Sequence, residues 1–131
     1  MRNMRTAFPV ILLTILLSSC GAPEDIPSLA DRASEGDGRA AAKLISAMAS
    51  GERDRSLKAY RAVLDLGAAM EPWLIKGLAS PQDAVVETSA AALGSLGRAG
   101  SIPALVSVLE GEGNRRYAAA WALGEIGDLR A

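Results

Sequence analysis

One segment of this chain occurs more than once. Val85 to Gly97 reads Val-Val-Glu-Thr-Ser-Ala-Ala-Ala-Leu-Gly-Ser-Leu-Gly, and Arg115 to Gly127 reads Arg-Arg-Tyr-Ala-Ala-Ala-Trp-Ala-Leu-Gly-Glu-Ile-Gly. Both contain Ala-x-Ala-Leu-Gly-x-Leu/Ile-Gly, and their final glycines lie 127 − 97 = 30 positions apart. A shorter copy, Ala62-Val63-Leu64-Asp65-Leu66-Gly67, sits one step upstream, since 97 − 67 = 30. A fixed period of this size signals stacked supersecondary units, each too small to bury its own apolar face. No period-2 alternation competes, so the expected class is all-α.

The helices between the copies follow the same step. Leu44-Ile45-x-x-Met48-Ala49-Ser50 returns as Leu74-Ile75-x-x-Leu78-Ala79-Ser80, and 74 − 44 = 30. The spacings predict helices over about 39–50, 54–66, 71–79, 80–96, 101–109 and 115–126. Asp54 and Asn114 are candidate N-caps, Gly51, Gly67 and Gly97 candidate stops, and Pro72 suits a first turn. Leu57, Tyr60, Val63, Leu64 and Leu66 supply the apolar side of the second helix. Ile102, Leu105, Val106 and Leu109 supply that of the fifth. Ala90 and Gly94, and again Ala120 and Gly124, are four apart, which makes a ridge of small residues where a neighbouring helix can approach closely. Glycine inside a helix costs about 1 kcal/mol against alanine, so its recurrence at one repeat position calls for a packing reason. The expected fold is a right-handed α-α superhelix, a solenoid of about three thirty-residue helix pairs with the last one incomplete. After Gly127 only Asp128-Leu129-Arg130-Ala131 remain. The expectation is further repeats or a second copy, forming a homodimer, against the last helix.

Arg116-x-Ala118-Ala119-x-x-Ala122-Leu123-Gly124-x-Ile126-Gly127 resembles the short HEAT-like repeat, of the kind also found in phycobilin lyases. The resemblance covers roughly Lys43 to Ala131. The family's first-turn arginine is matched by Arg116. Val86 and Ser56 stand there in the other two copies.

The N-terminus is an address. Arg2 and Arg5 precede the apolar run Ala7–Leu17. That run is too short to span a bilayer, which takes about 20 apolar residues, and has the size of a signal-peptide core. It ends in Leu17-Ser18-Ser19-Cys20-Gly21, which resembles the lipobox of bacterial lipoproteins. The resemblance implies cleavage between Ser19 and Cys20 and a diacylglycerol on the Cys20 sulfur. An ordinary signal peptide with an incidental cysteine is the alternative. Cys20 is the only cysteine, so no intramolecular disulfide forms. The domains expected are a signal peptide (1–19), a lipid-anchored tether (20–37), in which Ser28 to Glu35 add a helical turn or two through Leu29, Ala30 and Ala33, and a repeat domain (38–131). In the lipoprotein family an Asp after the Cys favours the inner membrane. Gly21 therefore points to the outer membrane, if the organism has one.

Chemistry is sparse. The sequence contains no histidine, which removes Ser–His and Cys–His catalysis and the common zinc sites. Glu110 and Glu112 flank Gly111 in one turn, which fits a solvated turn better than a metal site. The mature chain from Cys20 loses Arg2 and Arg5, giving 12 − 15 = −3, with no basic footprint for nucleic acid. No cofactor is expected. Trp121, with Ala91 and Arg61 at its repeat position, is a candidate interface anchor, partial burial against a neighbouring repeat being the alternative. Arg115 and Arg116 could meet an acidic partner or form a solvated first turn. The leading expectation is a lipid-anchored, non-catalytic scaffold for protein–protein interaction in the cell envelope. An enzyme-accessory or bilin-lyase-like protein and a structural envelope lipoprotein are the alternatives.

Overall fold

A computed structural model describes residues 24–130. The expected signal segment, with Ser19 and Cys20, lies outside the described residues.

The described chain is all-α, as the period requires. Helix α1 is Ile26–Ser34, α2 Gly38–Met48, α3 Arg53–Leu66, α4 Glu71–Gly77, α5 Asp83–Leu96, α6 Ile102–Leu109 and α7 Arg115–Arg130. Short 3₁₀ turns, Gly67–Met70 and Ala99–Ser101, lead into α4 and α6. Short helices α2, α4 and α6 alternate with long helices α3, α5 and α7. Each pair stacks on the next: α5 packs on α3 and α7, and α2 packs on α3, α4 and α5. The core runs along this contact. It comprises Leu44, Ile45 and Met48 of α2, Val63, Met70, Leu74, Val86, Leu93, Leu105 and Ile126. Each large aliphatic group removed from water contributes about 1.5–3 kcal/mol.

The first helix corrects the expected tether. Residues 26–34 are a helix that packs on α2 and α3, so the packed unit includes this segment as well as residues from 38 onward. Ile26, Leu29 and Ala33 recur at helical spacing and are buried, Leu29 completely. Its outer positions Asp31, Ser34 and Glu35 are exposed, so α1 closes this end of the stack with a polar surface. A charge cluster locks it in place. Arg32 donates from Nε to Asp37 at 2.9 Å and from Nη1 to Glu24 at 2.7 Å, while Lys43 Nζ donates to Glu24 at 2.8 Å. Asp37 also caps α2, its Oδ1 accepting the N–H of Arg39 and of Ala40. The Arg32 guanidinium and the Ala40 N–H hold the Asp37 carboxyl below the usual aspartate range. Lys43 does the same for Glu24.

The helix ends differ from expectation in instructive ways. Helix α5 starts at Asp83 because Ser80-Pro81 forms a turn in which Ser80 Oγ accepts the Gln82 N–H at 3.2 Å. Asp54 lies in the first turn of α3, whose N-cap is Glu52. Gly67 and Gly97 adopt positive φ, 56° and 66°, and end α3 and α5. Gly127, one step on, does not, and α7 continues through it to Arg130. Glycine permits the left-handed turn without enforcing it.

Candidate interaction surface

The long helices form one layer, and their solvent side carries most of the exposed large apolar groups. Leu57 is 48 % exposed, Tyr117 76 % and Trp121 48 %; Val106, on α6, is 38 %. Leu57, Glu87 and Tyr117 share one repeat position, and Arg61, Ala91 and Trp121 another, because both sets differ by 30. The expectation that Leu57 and Val106 line the core is therefore corrected. In α3 the inward residues are Ala59 and Val63, in α6 Leu105, and Leu57 falls on the opposite stripe.

The middle helix offers small residues at the surface, Ala84, Ala91 and Ser95, and larger side chains lean onto it from both sides. From α3, the Tyr60 hydroxyl lies 2.6 Å from Ser95 Oγ and 3.4 Å from the Ala91 carbonyl. From α7, the Trp121 ring rests against Gly94. A Cβ placed on Gly94 would come within 3.0 Å of Trp121 Cζ3 and 2.9 Å of Ala122 Cα. The expected ridge is real in this copy: Ala90 and Gly94 are buried, and α7 seats directly on them. Trp121 is both half-packed and half-exposed.

The three interface candidates part company. Arg115 is engaged: its Nε donates to Asp83 Oδ1 at 2.9 Å and its Nη2 to the Pro81 carbonyl at 3.3 Å, tying the start of α7 to the start of α5. Arg55 stands at the same position of α3 and donates to the Glu24 carbonyl at 3.4 Å. The repeat's structural arginine is therefore at 55 and 115, one place before the position matched to the family's first-turn arginine. Arg116 is exposed and borders a cleft of about 450 Å³ on the far side of α7 with Leu109, Asn114, Tyr117 and Ala120. Only Trp121 remains on the layer surface proper. Tyr117, which periodicity alone had not singled out, is the most exposed large apolar group; its signal was the match to Leu57 at the repeat step.

Trp73 packs within the stack. Its ring lies over Gly38, where a Cβ would come within 2.5 Å of Cη2, and the Lys76 ammonium sits 4.6 Å from the ring centroid. Glu110 and Glu112 are both exposed on their turn. Among the described residues no three His, Cys, Asp or Glu side chains are grouped as a metal would need. No described helix is long and apolar enough to cross a membrane.

A layered stack of short and long helices with a thirty-residue step and small residues at the crossings is the geometry of a stacked helical-repeat array. Residues 71–131 match the family model for HEAT repeats. Over this segment, a little under half of the chain, the sequence is similar to HEAT repeats. No curated protein and no solved structure matches the chain significantly. The match starts at α4, while the α2–α3 pair, with Ser56 and Arg61 where α7 has Arg116 and Trp121, departs furthest from the repeat pattern. HEAT-like repeats form helical scaffolds suited to protein interaction: the elements supply a broad, rigid surface.

Proposed function

We propose that this protein is a lipid-anchored, non-catalytic scaffold of the bacterial cell envelope that holds a protein partner on the outer surface of its long-helix layer. The observation that carries the partner surface is the alignment of Leu57, Tyr60 and Trp121 around the small residues of α5. Aromatic anchors beside a shallow floor of Ala91 and Ser95 are the composition from which interface hot spots are built. The anchor is supported by the arginines, apolar run and Leu-Ser-Ser-Cys-Gly at 17–21. Two or more acyl chains give stable membrane attachment, and Gly21 after the acylated cysteine favours the outer membrane.

Two separate measurements test this. Cys20→Ser should shift the protein from the membrane to the soluble fraction and abolish acyl labelling; continued membrane retention refutes the anchor. For the surface, the wild-type chain cross-linked in intact envelopes should capture one stoichiometric protein. Trp121→Ala with Leu57→Ala should lose it while the fold persists, and capture that survives the double variant refutes this face.

A further inference from the structure

Between short helices α2 and α4 runs a groove of about 420 Å³ that crosses the seam of two repeats. Ile45 and Ser46 come from α2, Trp73 and Lys76 from α4, and Gln82 and Val85 from the entry of α5. Two glycines keep it open. At Gly38 a Cβ would strike the Trp73 ring. At Gly77, where Ala47 stands one repeat earlier, a Cβ would strike Ser89 Oγ. The indole therefore lies close on α2 and the α4 backbone close on α5, while the space between stays unfilled. Concave sites of roughly 300–1,000 Å³ with mostly apolar walls and a few polar groups are those that take ligands.

The charge around this groove is one-sided. None of its lining residues is acidic. Lys76 is exposed and, among the described residues, pairs with no carboxylate; its ammonium is held 4.6 Å from the Trp73 ring centroid. The acids beside the lining residues in sequence are committed elsewhere: Asp37 to Arg32, Glu71 to Arg98 and Asp83 to Arg115. Glu87 shares its repeat position with Leu57 and Tyr117, on the long-helix layer. In a chain of net charge −1 this apolar groove thus carries an uncompensated positive charge. A basic ligand would be repelled. A carboxylate would meet an ammonium already placed over the ring, so little side-chain freedom is lost in pairing. Stacked repeats present such surfaces to other proteins, and the exposed Ser46 and Gln82 offer donors and acceptors to a passing main chain.

We propose that this groove docks an acidic segment of a partner protein, with a large apolar side chain seated against Trp73, Ile45 and Val85 and a neighbouring carboxylate on Lys76. The site is built mainly from short helices and does not rest on the anchor at Cys20 or on the surface around Trp121.

The test uses the full chain in neutral lipid nanodiscs. The probe is a capped, dye-labelled oligo-aspartate peptide with one central phenylalanine, and binding is read by fluorescence anisotropy. Binding should saturate with a Kd below about 1 mM. Glycine in place of the phenylalanine, removing the apolar anchor, should weaken it about thirtyfold. Lys76→Ala, removing an exposed ion pair, should weaken it about fivefold. Lys76→Glu should reverse the preference, so that the same peptide with lysines for aspartates binds better than the acidic one. Should Lys76→Glu melt lower than wild type, Ser46→Trp decides: it fills the groove from an exposed position and should abolish binding. Trp121→Ala with Leu57→Ala should bind as wild type; loss of binding there puts the peptide on the long-helix layer and overturns the proposal. So does the absence of saturation, equal binding of acidic and basic peptides, binding that survives Ser46→Trp, or retention of octanoate by a chain that does not bind the peptide.

Discussion

Gly94 and Gly124 stand at the same place in two copies of one repeat, and alanine should act on them with opposite sign. In a helix interior alanine is favoured over glycine by about 1 kcal/mol, and this gain is common to both sites. At Gly94 the new methyl would lie 2.9 Å from Ala122 Cα, 3.1 Å from Ala122 Cβ and 3.0 Å from Trp121 Cζ3. Ordinary carbon contacts are about 3.5–4.0 Å, and the nearest obstacle is backbone, so α7 must retreat by roughly half an ångström. Overpacking of this kind costs about 1–3 kcal/mol. The net effect of Gly94→Ala is thus between neutral and about 2 kcal/mol destabilising. At Gly124 nothing lies within 4 Å of the new atom, so the propensity gain stands alone and Gly124→Ala should stabilise by about 1 kcal/mol.

The measurement is paired thermal and urea unfolding followed by circular dichroism. One kcal/mol moves the midpoint of a domain of this size by about 4–8 °C. Gly124→Ala should therefore melt about 4–8 °C above wild type, and Gly94→Ala at or below it. An unchanged urea slope would confirm that stability has moved and not the unfolded state. If Gly94→Ala is stabilised as much as Gly124→Ala, α7 does not approach α5 closely, and the small-residue ridge has lost its reason.

Other outcomes follow from the same structure. Leu93, fully buried, should not tolerate a carboxylate. Leu93→Asp leaves an unpaired charge in the core at a cost of several kcal/mol against a total of about 5–15, so cooperative melting should be lost, and an intact transition would show the site to be open to water. Ser89 Oγ is buried without a partner, whereas Ala59 and Ala119 occupy its repeat position; Ser89→Ala should raise stability by about 1 kcal/mol, and a fall in urea midpoint would reveal a hidden partner. The depressed Asp37 and Glu24 carboxyls contribute stability that is fully present above about pH 4–5 and is lost as pH falls through their folded values. Arg32→Gln should flatten the acid limb of the urea midpoint, and an unaltered limb would mean that this surface cluster does not stabilise α1.

What was legible in the sequence was whatever the repeat step repeats. The helices, the buried Leu93 and the ridge at Ala90 and Gly94 all recur at thirty-residue spacing, and recurrence separates a packing requirement from composition. The exceptions broke the period. Residues 26–34 have no equivalent among the repeats: Leu29, Ala30 and Ala33 read as a helical turn or two, and only Arg32 meeting Glu24 and Asp37 in space shows a docked helix. Leu57 and Val106 look like core because they are aliphatic, but their positions on the stripe face out. Trp121 was legible as variable, since Ala91 and Arg61 replace it, and variability at a repeat position marked the surface correctly. Arg115 and Arg116 were indistinguishable neighbours on paper, and 100° of helix rotation sends one to Asp83 and the other to the end face.

The first-turn arginine shows how a repeat adjusts to its neighbours. In α7, Arg115 reaches back to Asp83 and the Pro81 carbonyl at the entry of α5. In α3, Arg55 reaches the Glu24 carbonyl at the entry of α1. Each ties the start of a long helix to the start of a helix it packs against. In α5 the same position is Val85, with no such tie. The register supplies the reason. The residue that would face an arginine at 85, thirty before Asp83, is Arg53. A like-charged pair there would repel, so the middle copy holds valine, which packs against the core beside Trp73. Exposed pairs such as Arg115–Asp83 contribute about 0–1 kcal/mol, small beside burial of the Leu93 layer. Replacing one by an apolar contact therefore costs the array little. Burial sets the thirty-residue step, and charge at its edges varies with whatever the previous repeat presents.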